Sequence, residues 1–94
     1  MYVDGFGNII TNIPEELLAG LGLRDGSRLC VRIGGKALEL KLCSAYGEVK
    51  PGELLAIIDS WGMLEVAVNL GSAAKELGAR PGETVVVEPI GGPR

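Results

Sequence analysis

The sequence predicts a mainly β protein: a small antiparallel β-barrel with two short helices and an internal pseudo-twofold repeat. Three observations indicate this fold class. Short apolar segments with two-residue alternation recur along the chain, fifteen glycines supply corners between them, and the chain repeats itself at a nearly constant spacing. Its 94 residues suffice for one domain with one modest core.

The repeat is visible in three matched pairs of segments. Residues 4–7 (Asp-Gly-Phe-Gly) return as residues 59–62 (Asp-Ser-Trp-Gly), 55 positions later. Two further pairs match at spacings of 56 and 57: residues 21–26 with 77–82, and residues 33–35 with 90–92. The growing spacing means small insertions between the matched blocks. Two copies of one unit predict two similar sheet segments packed face to face, with a seam that suits a flat ligand. The paired Asp-x-aromatic-Gly turns are expected at related positions and with the same backbone conformation.

The first half of the chain predicts three strands and a helix. Residues 2–10 predict a strand interrupted by two glycines around Phe6. A helix of about two turns is expected to begin at Pro14, because proline and two acidic residues suit a first helical turn and glycines follow. Residues 28–33 and 36–43 alternate apolar and polar side chains on either side of a Gly-Gly turn, which predicts a hairpin.

The second half predicts three more strands and a second helix. Residues 54–58 are nearly all apolar and follow a Pro-Gly turn, which favours a buried strand. Residues 64–69 alternate and predict the next strand. A short helix over about 72–77 is expected to end at Gly78, and the last strand is predicted at 84–87 after another Pro-Gly turn.

The two cysteines are not expected to form a disulfide. In the hairpin register that places Leu29 opposite Leu40, Cys30 faces Glu39, and Cys43 lies about 13 Å further along its strand. That separation is too large for a disulfide. With no histidine and two cysteines, a zinc site of ordinary ligand count is not expected either.

Charge and hydropathy exclude several classes of function. The net charge is only -3 and no basic patch is visible, so a nucleic-acid partner is not expected. Apolar stretches are too short for a membrane span or a signal peptide, which predicts no membrane association and a cytoplasmic location. Without histidine, a serine or cysteine hydrolase lacks its usual base. No complete phosphate-binding glycine motif occurs.

A polar and aromatic group of residues remains as the candidate site. Two of the four aromatic residues stand in the repeated turns. A purine needs a flat apolar slot and an amide that both donates and accepts hydrogen bonds, and Phe6, Tyr46 and Asn8 have these groups. An amino-acid moiety needs an acceptor for its ammonium and donors for its carboxylate, for which Asp4 and Ser60 are suited.

Two further acidic features are interpreted more simply. Asp4 and Asp59 form a matched carboxylate pair, but a single pair of turns is weak evidence for glycosidase chemistry. Glu65 lies in an alternating strand and is expected to be a solvated or ion-paired residue rather than a catalytic one.

At these positions the sequence resembles a known family. Residues 4–13 closely resemble the Asp-x-Phe-Gly-Asn-x-x-Thr-Asn-Ile motif of the S-adenosyl-L-methionine (SAM) hydroxide adenosyltransferase family, which includes the fluorinases and chlorinases. Residues 60–74 resemble its second signature, Ser-x-Gly-x-Leu-Glu-Ile-Ala-x-Asn-x-Gly-x-Ala. The resemblance covers essentially the whole chain but only the C-terminal barrel domain of the family, which follows a larger N-terminal α/β domain in full-length members.

The resemblance implies a domain organisation, a ligand and partners. Residues 1–94 would form a single β-barrel domain, with the N-terminal α/β catalytic domain absent from this chain. In the family, SAM lies between the barrel of one subunit and the N-terminal domain of its neighbour in a trimer. The implied partners are therefore SAM or adenosine, and a separate N-terminal-type domain or a trimer-like homo-oligomer. SAM is implied as substrate, without a further cofactor.

The matched motif positions imply two groups of ligand contacts. The adenine would be bound by Phe6, Asn8, Ile10, Tyr46, Asn69 and Leu70. The methionine moiety would be bound by Asp4, Ser60 and Trp61. Asp59 and Trp61 depart from the family, which usually has Asn and a small residue there. The resemblance implies no catalytic residue or metal ligand in this chain, because the family activates water with Asp, Arg and His of the N-terminal domain.

Three functions are compatible with these observations. The first is an adenosine- and SAM-binding barrel that supplies the adenine and methionine half-site of a SAM-cleaving enzyme whose water-activating domain is elsewhere. The second is a stand-alone regulatory module that binds an adenine nucleoside. The third is a non-catalytic barrel retained for oligomerisation.

Overall fold

The computed structural model describes residues 1–90 as one curled, seven-stranded sheet with two short helices. The strands are β1 (Tyr2–Val3), β2 (Ile9–Pro14), β3 (Arg28–Ile33), β4 (Lys36–Cys43), β5 (Leu54–Ile58), β6 (Met63–Val68) and β7 (Val85–Pro89). The helices are α1 (Glu15–Gly20) and α2 (Ala73–Leu77), and a 3-10 turn spans Tyr46–Glu48. The predicted mainly β class with two short helices is confirmed. None of the helices in the described part of the chain is long and apolar enough to cross a membrane.

The sheet order is β1-β2-β6-β5-β4-β3-β7. All neighbouring strands are antiparallel except β4 and β5, which run parallel and are joined through the 3-10 turn. The two edge strands, β1 and β7, lie at opposite ends of this order. The Gly82 backbone N–H nevertheless donates to the Met1 carbonyl at 3.0 Å, so the curl brings the chain beside β7 close to the chain beside β1.

Strand pairing follows the twofold relation that the repeat predicts. Tyr2 pairs with Ile10, and the residues 55 positions later, Ile57 and Glu65, pair in the same way. Between the two copies, β2 pairs with β6 through Ile10 and Glu65, each of which is the equivalent of the other at this spacing. The local twofold axis therefore passes through the Ile10–Glu65 pair.

The outer strands β3 and β7 obey the same relation at a spacing of 57. Cys30 pairs with Glu88 and Val31 pairs with Val87, so each pair is the image of the other. The matched segment at 90–92 lies largely outside the described residues. Within residues 1–90, the repeat is thus expressed in strand register as well as in sequence.

The β3–β4 hairpin has the predicted bounds and register. Leu29 lies opposite Leu40 and Cys30 opposite Glu39. Both cysteines are free, as the register requires. Alternation along β3 buries Leu29, Val31 and Ile33, because successive strand side chains point to opposite faces. On the other face Arg28 and Arg32 are exposed and Cys30 is partly exposed.

The core has two parts. The larger cluster joins both helices to the strands and includes Ile9, Leu18 and Leu77. The smaller cluster consists of Cys43, Leu55, Ile57 and Ala67. Because alternate residues of β5 and β6 belong to different clusters, these two central strands are buried on both faces.

Several bounds of the predicted elements are wrong. The first helix begins at Glu15 rather than at Pro14, which ends β2, and β6 runs Met63–Val68 rather than over 64–69. Residues 2–10 do not form one interrupted strand, since β1 and β2 form a hairpin around residues 4–8. The glycines there serve a closed turn rather than a kink. The last strand runs Val85–Pro89 rather than over 84–87.

Candidate functional site

The first turn, residues 4–8, is closed by the side chain of Asp4. Asp4 Oδ1 accepts hydrogen bonds from the backbone N–H groups of Phe6 at 2.9 Å and Asn8 at 3.0 Å. The Gly7 N–H donates to the Asp4 carbonyl at 3.0 Å. Gly7 has a φ of +82°, a conformation that costs a side-chain-bearing residue energy. Asp is suited to such a turn because its carboxylate reaches the backbone two residues ahead.

The second turn, residues 59–63, repeats this pattern. Asp59 Oδ1 accepts from the N–H groups of Trp61 at 2.9 Å and Met63 at 3.1 Å. The Gly62 N–H donates to the Asp59 carbonyl at 3.0 Å, and the φ of Gly62 is +78°. The prediction that the two turns share one backbone conformation is confirmed by these equivalent bonds.

Each turn is tied to the helix of the other copy. The carbonyl of Gly7 accepts from the Ala74 N–H in α2 at 2.9 Å, and the carbonyl of Gly62 accepts from the Glu15 N–H in α1 at 2.9 Å. The routes to these helices differ. β2 continues directly into α1, whereas residues 69–72 separate β6 from α2. The segment 69–72, hereafter the linking loop, is therefore a departure from the repeat.

Leu70 in the linking loop has a strained backbone. Its φ of +58° makes it the only non-glycine residue with positive φ in the described part of the chain. A left-handed conformation costs a residue with a side chain about 1–2 kcal/mol. The Leu70 side chain is 87% exposed, so packing does not repay this cost. Its backbone N–H and C=O have no hydrogen-bond partner among residues 1–90, and strain of this kind is typical of ligand-contacting segments.

An open cleft of about 490 Å³ lies beside the linking loop. Its lining consists of Phe6, Asn8, Tyr46, Val68, Asn69, Leu70 and Gly71. Five of the six residues that the family resemblance assigns to adenine are thus brought together from three separate parts of the chain. The sixth, Ile10, is only 8% exposed and lies in β2 opposite Glu65, outside this lining.

The two asparagines of the cleft are held differently. Asn8 Nδ2 donates to Asp4 Oδ2 at 3.2 Å, which leaves the side-chain amide oxygen of Asn8 (Oδ1) without a partner among the described residues. Asn69 makes more hydrogen bonds to the surrounding chain. Its Nδ2 donates to the Val49 carbonyl at 2.8 Å and its backbone N–H to the Glu53 carbonyl at 3.0 Å. Asn69 therefore fixes the segment that follows the 3-10 turn against the end of β6.

Tyr46 lines the cleft and is hydrogen-bonded to the central strand β6. Its hydroxyl donates to Glu65 Oε1 at 2.7 Å. Burial raises the pKa of Tyr46 to about 12, and the hydrogen bond and charge of Glu65 act in the same direction. The phenol is therefore a neutral donor at physiological pH.

The expectation that Glu65 is solvated or ion-paired is wrong. Glu65 is 4% exposed and its described partner is a neutral hydroxyl. Burial raises the pKa of Glu65, the bond from Tyr46 lowers it, and the carboxylates of Asp4 and Asp59 raise it. The sequence does contain a signal for this burial. Glu65 lies inside an otherwise apolar run, and such a run indicates a strand that is buried on both faces.

The residues assigned to the methionine moiety do not line this cleft. Asp4 is half-buried and lines an adjacent cavity of about 370 Å³ that shares Phe6 with the cleft. Ser60 is exposed and Trp61 is 82% exposed at the tip of the second turn. Asp4 belongs to the first turn, so the methionine candidates are divided between the two turns. Among residues 1–90, no cluster of three or more His, Cys, Asp and Glu side chains is arranged to hold a metal ion.

This arrangement is typical of a small-molecule-binding domain, since aromatic faces and a few convergent polar groups meet in one concave site. The family described as the SAM hydroxide adenosyltransferase C-terminal domain matches residues 1–86. The chain belongs to this family, and the family resemblance of the two motifs is confirmed.

Two relatives are SAM hydrolases. The chain is 37% identical over 82 residues to the (R)-S-adenosyl-L-methionine hydrolase of Thermus thermophilus, covering 87% of this chain and 28% of that protein. It is 39% identical over 87 residues to the (R)-S-adenosyl-L-methionine hydrolase of Salinispora tropica, covering 90% and 30%. The chain thus spans less than a third of the length of these relatives.

Solved structures share the fold. An uncharacterized conserved protein from Thermotoga maritima superposes with a TM-score of 0.86 at 41% identity, over 90% of this chain and 33% of that one. A conserved hypothetical protein from Thermus thermophilus gives a TM-score of 0.65 at 38% identity, over 90% and 32%. In both, the similar region is about a third of the solved chain.

Proposed function

We propose that this domain binds adenosine or SAM and supplies the adenine and methionine half-site of a SAM-cleaving hydroxide adenosyltransferase, with the water-activating groups on another domain. The observation that carries the proposal is the gathering of Phe6, Asn8, Tyr46, Asn69 and Leu70 around one cleft. The family and its hydrolase relatives support the same substrate class.

The chemistry of the cleft suits a purine. The side chains of Phe6 and Tyr46 offer aromatic surface, 83% and 43% exposed respectively. The edge of an adenine needs both donors and acceptors. The side-chain amide oxygen of Asn8 (Oδ1) and the backbone N–H and C=O of Leu70 supply them, because none of these groups has a partner among residues 1–90.

We assign the methionine moiety to Asp4, Ser60 and Trp61. The Asp4 carboxylate would accept hydrogen bonds from the ammonium, while the Ser60 hydroxyl would donate to the carboxylate beside the Trp61 backbone. The Asp4 and Asp59 carboxylates lie near enough to Glu65 to raise the pKa of its carboxyl group. Their combined negative potential favours a ligand that carries sulfonium and ammonium charges.

The exposed surfaces favour a partner. Phe6, Trp61 and Leu70 are each more than 80% exposed, and a reaction at the ribose carbon needs a site from which bulk water is excluded. We propose that an N-terminal-type domain, or a neighbouring copy in a trimer-like assembly, covers them. We also propose a cytoplasmic location, because the two cysteines are free and free thiols are typical of a reducing compartment.

Calorimetric titration of the chain with adenosine and with SAM, with and without an N-terminal-type domain from a hydrolase relative, tests the proposal. We expect weak binding by the chain alone and much tighter binding with the added domain. Tight binding by the chain alone would instead support the regulatory module. Absence of binding under both conditions, together with a stable oligomer, would support the structural barrel.

The isolated chain should not cleave SAM. It has no histidine, and a half-open cleft does not position a desolvated water for attack. Release of adenosine above background from rigorously purified chain, measured by chromatography, would contradict the assignment of the water-activating groups to another domain. A heat-denatured sample and a Phe6→Ala variant serve as controls for a contaminating hydrolase.

A further inference from the structure

We infer that Glu65 is a positioning residue: its carboxylate holds the Tyr46 hydroxyl and thereby fixes the aromatic wall of the cleft. The consequence for a purine ligand rests on the proposed function. The positioning itself rests on the geometry of the two side chains. Neither the sequence motifs nor the relatives assign this task to Glu65.

The anchor and the anchored group belong to parts of the fold with different rigidity. Glu65 lies in β6, a central strand buried on both faces, and is 4% exposed. Tyr46 begins the 3-10 turn between β4 and β5, outside the sheet ladder, and is 43% exposed. The hydrogen bond of 2.7 Å joins them across 19 positions in sequence. It therefore ties a partly exposed side chain to a strand that is buried on both faces.

Other contacts hold the backbone around Tyr46 but not its ring. Glu48 Oε2 accepts from the Ser44 N–H at 2.8 Å and the Ala45 N–H at 2.9 Å. Asn69 Nδ2 donates to the Val49 carbonyl at 2.8 Å. These bonds fix the chain on both sides of the residue. Within residues 1–90, the bond to Glu65 is the hydrogen bond that restrains the phenol ring.

The scaffold does not require an acid at position 65. The twofold equivalent of Glu65 is Ile10, which pairs with it across the axis and is also buried. An apolar side chain is thus compatible with this place in the fold. A buried carboxylate near Asp4 and Asp59 is unfavourable for stability, which points to a task beyond packing.

Three variants separate this task from a purely structural one. Glu65→Leu removes the acceptor and resembles the Ile10 equivalent, Glu65→Gln keeps an acceptor oxygen at nearly the same place, and Tyr46→Phe removes the donor. The chain has two tyrosines, so a Tyr2→Phe background leaves Tyr46 as the single tyrosine. Tyr2 is 57% exposed in the edge strand β1, and Tyr2→Phe alone is the matched control.

The first readout needs no ligand. Ring-flip rates of labelled Tyr46 by NMR, and its hydroxyl titration by ultraviolet absorbance, report directly on the ring. In Glu65→Leu we expect faster ring flips and a Tyr46 pKa closer to its ordinary value. In Glu65→Gln we expect flip rates close to those of the parent. Unchanged ring flips and titration in a folded Glu65→Leu variant would overturn the inference.

The second readout is adenosine affinity, in the condition in which the parent chain binds. We expect a loss of about tenfold in Glu65→Leu and in Tyr46→Phe, little loss in Glu65→Gln, and no further loss in the double variant Tyr46→Phe/Glu65→Leu. Parent-like affinity in a Glu65→Leu variant whose ring is released would overturn the inference. If the ring responds as expected but even the parent chain binds no adenosine, the proposed function fails while the positioning of Tyr46 stands. If Glu65→Leu does not fold, the comparison of Tyr46→Phe with Glu65→Gln supplies the same test of affinity.

Discussion

The two Asp-closed turns share their hydrogen bonds and glycine conformation but differ in what surrounds them. The first turn, residues 4–8, faces the linking loop 69–72 and Tyr46, and the cleft opens there. The second turn, residues 59–63, lies at the junction of β2 and α1, where no such loop occurs because β2 continues directly into the helix. The repeated elements therefore form the scaffold, and the linking loop, which departs from the repeat, forms part of the cleft.

A second asymmetry lies on the twofold axis itself. Ile10 and Glu65 occupy equivalent places in the two copies, yet one is apolar and the other carries the acceptor for Tyr46. Both departures fall in or beside the second copy of the unit. The strand register depends on backbone hydrogen bonds that are common to both copies. The cleft depends on side chains and on a loop length that differ between the two copies.

The largest expected effect distinguishes the glycines of the two turns. Gly7 and Gly62 both have positive φ, so alanine at either position should cost about 1–2 kcal/mol of unfolding free energy. A Cβ at Gly7 would in addition collide with the Ser72 side chain. The added Cβ would lie 2.6 Å from Ser72 Cβ and even closer to Ser72 Oγ. At Gly62 nothing lies within 4 Å. We expect Gly7→Ala to lose at least about 3 kcal/mol.

Urea denaturation of Gly7→Ala and Gly62→Ala measures this difference. Gly62→Ala is the matched control, because it shares the backbone strain without the collision. Equal destabilisation would mean that the first turn does not pack against the linking loop as described.

Next in size is a difference in ligand binding between the turns. Asn8→Ala removes the amide oxygen that we assign to the purine edge, so affinity for adenosine and for SAM should fall together, by about tenfold. Ser60→Ala should weaken SAM more than adenosine, because only SAM carries a carboxylate. Met63→Ala, at the position equivalent to Asn8, is the control for general damage to a turn.

Calorimetric titration of the three variants with both ligands gives the pattern. An equal loss for adenosine and SAM in Ser60→Ala would remove this residue from the methionine site. Parent-like affinity in Asn8→Ala would remove the first turn from the adenine site.

The asymmetry at the axis predicts a pH-dependent stability difference. Because the pKa of Glu65 is raised in the folded state, the native chain holds its proton longer than the unfolded chain as pH rises. The neutral Glu65 carboxyl group therefore contributes stability that is fully present below the ordinary glutamate pKa. This contribution is lost as pH rises through the pKa that Glu65 has in the folded chain. Glu65→Gln stays neutral and keeps an acceptor for Tyr46. It should match the parent chain at low pH and exceed it near neutrality.

Urea midpoints of the parent chain and Glu65→Gln, measured between about pH 4 and 8, test the sign of this effect. The difference is expected to grow as pH rises above the ordinary glutamate value of 4.5. The groups that act on Glu65 are Tyr46, Asp4 and Asp59, and they are present in both proteins. A constant difference over the whole range, or a parent chain that is more stable near neutrality, would contradict the assigned shift.

Sequence reasoning succeeded where periodicity and turn chemistry determine the outcome. The hairpin register around Leu29 and Leu40 followed from alternation, and the common backbone of the two turns followed from the repeated Asp and Gly. Glu65 was misinterpreted because alternation alone does not reveal a strand that is buried on both faces. The contact of Tyr46 with Glu65 was missed because it depends on the path of an irregular segment, which no periodic pattern encodes.

The smallest expected effect concerns Leu70, whose place in the linking loop has no counterpart between β2 and α1. Leu70→Gly relieves the strain of a positive φ but adds freedom to the unfolded chain, and the two terms oppose each other at about 1 kcal/mol each. The 87% exposed side chain contributes little packing. We therefore expect a change in unfolding free energy within about 0.5 kcal/mol.

Leu70→Ala is the matched variant, because it shortens the side chain while keeping the strained backbone. If the backbone N–H and C=O of Leu70 read the purine edge, both variants should keep most of the affinity for adenosine, and urea denaturation should place Leu70→Gly at or slightly above Leu70→Ala in stability. A loss of more than about 2 kcal/mol in Leu70→Gly would show that the side chain is packed in the native state, since backbone terms alone do not reach that size. A large loss of affinity in Leu70→Ala with unchanged stability would move recognition from the backbone of the linking loop to its side chain, and the departure from the repeat would then act through an apolar contact rather than through exposed peptide groups.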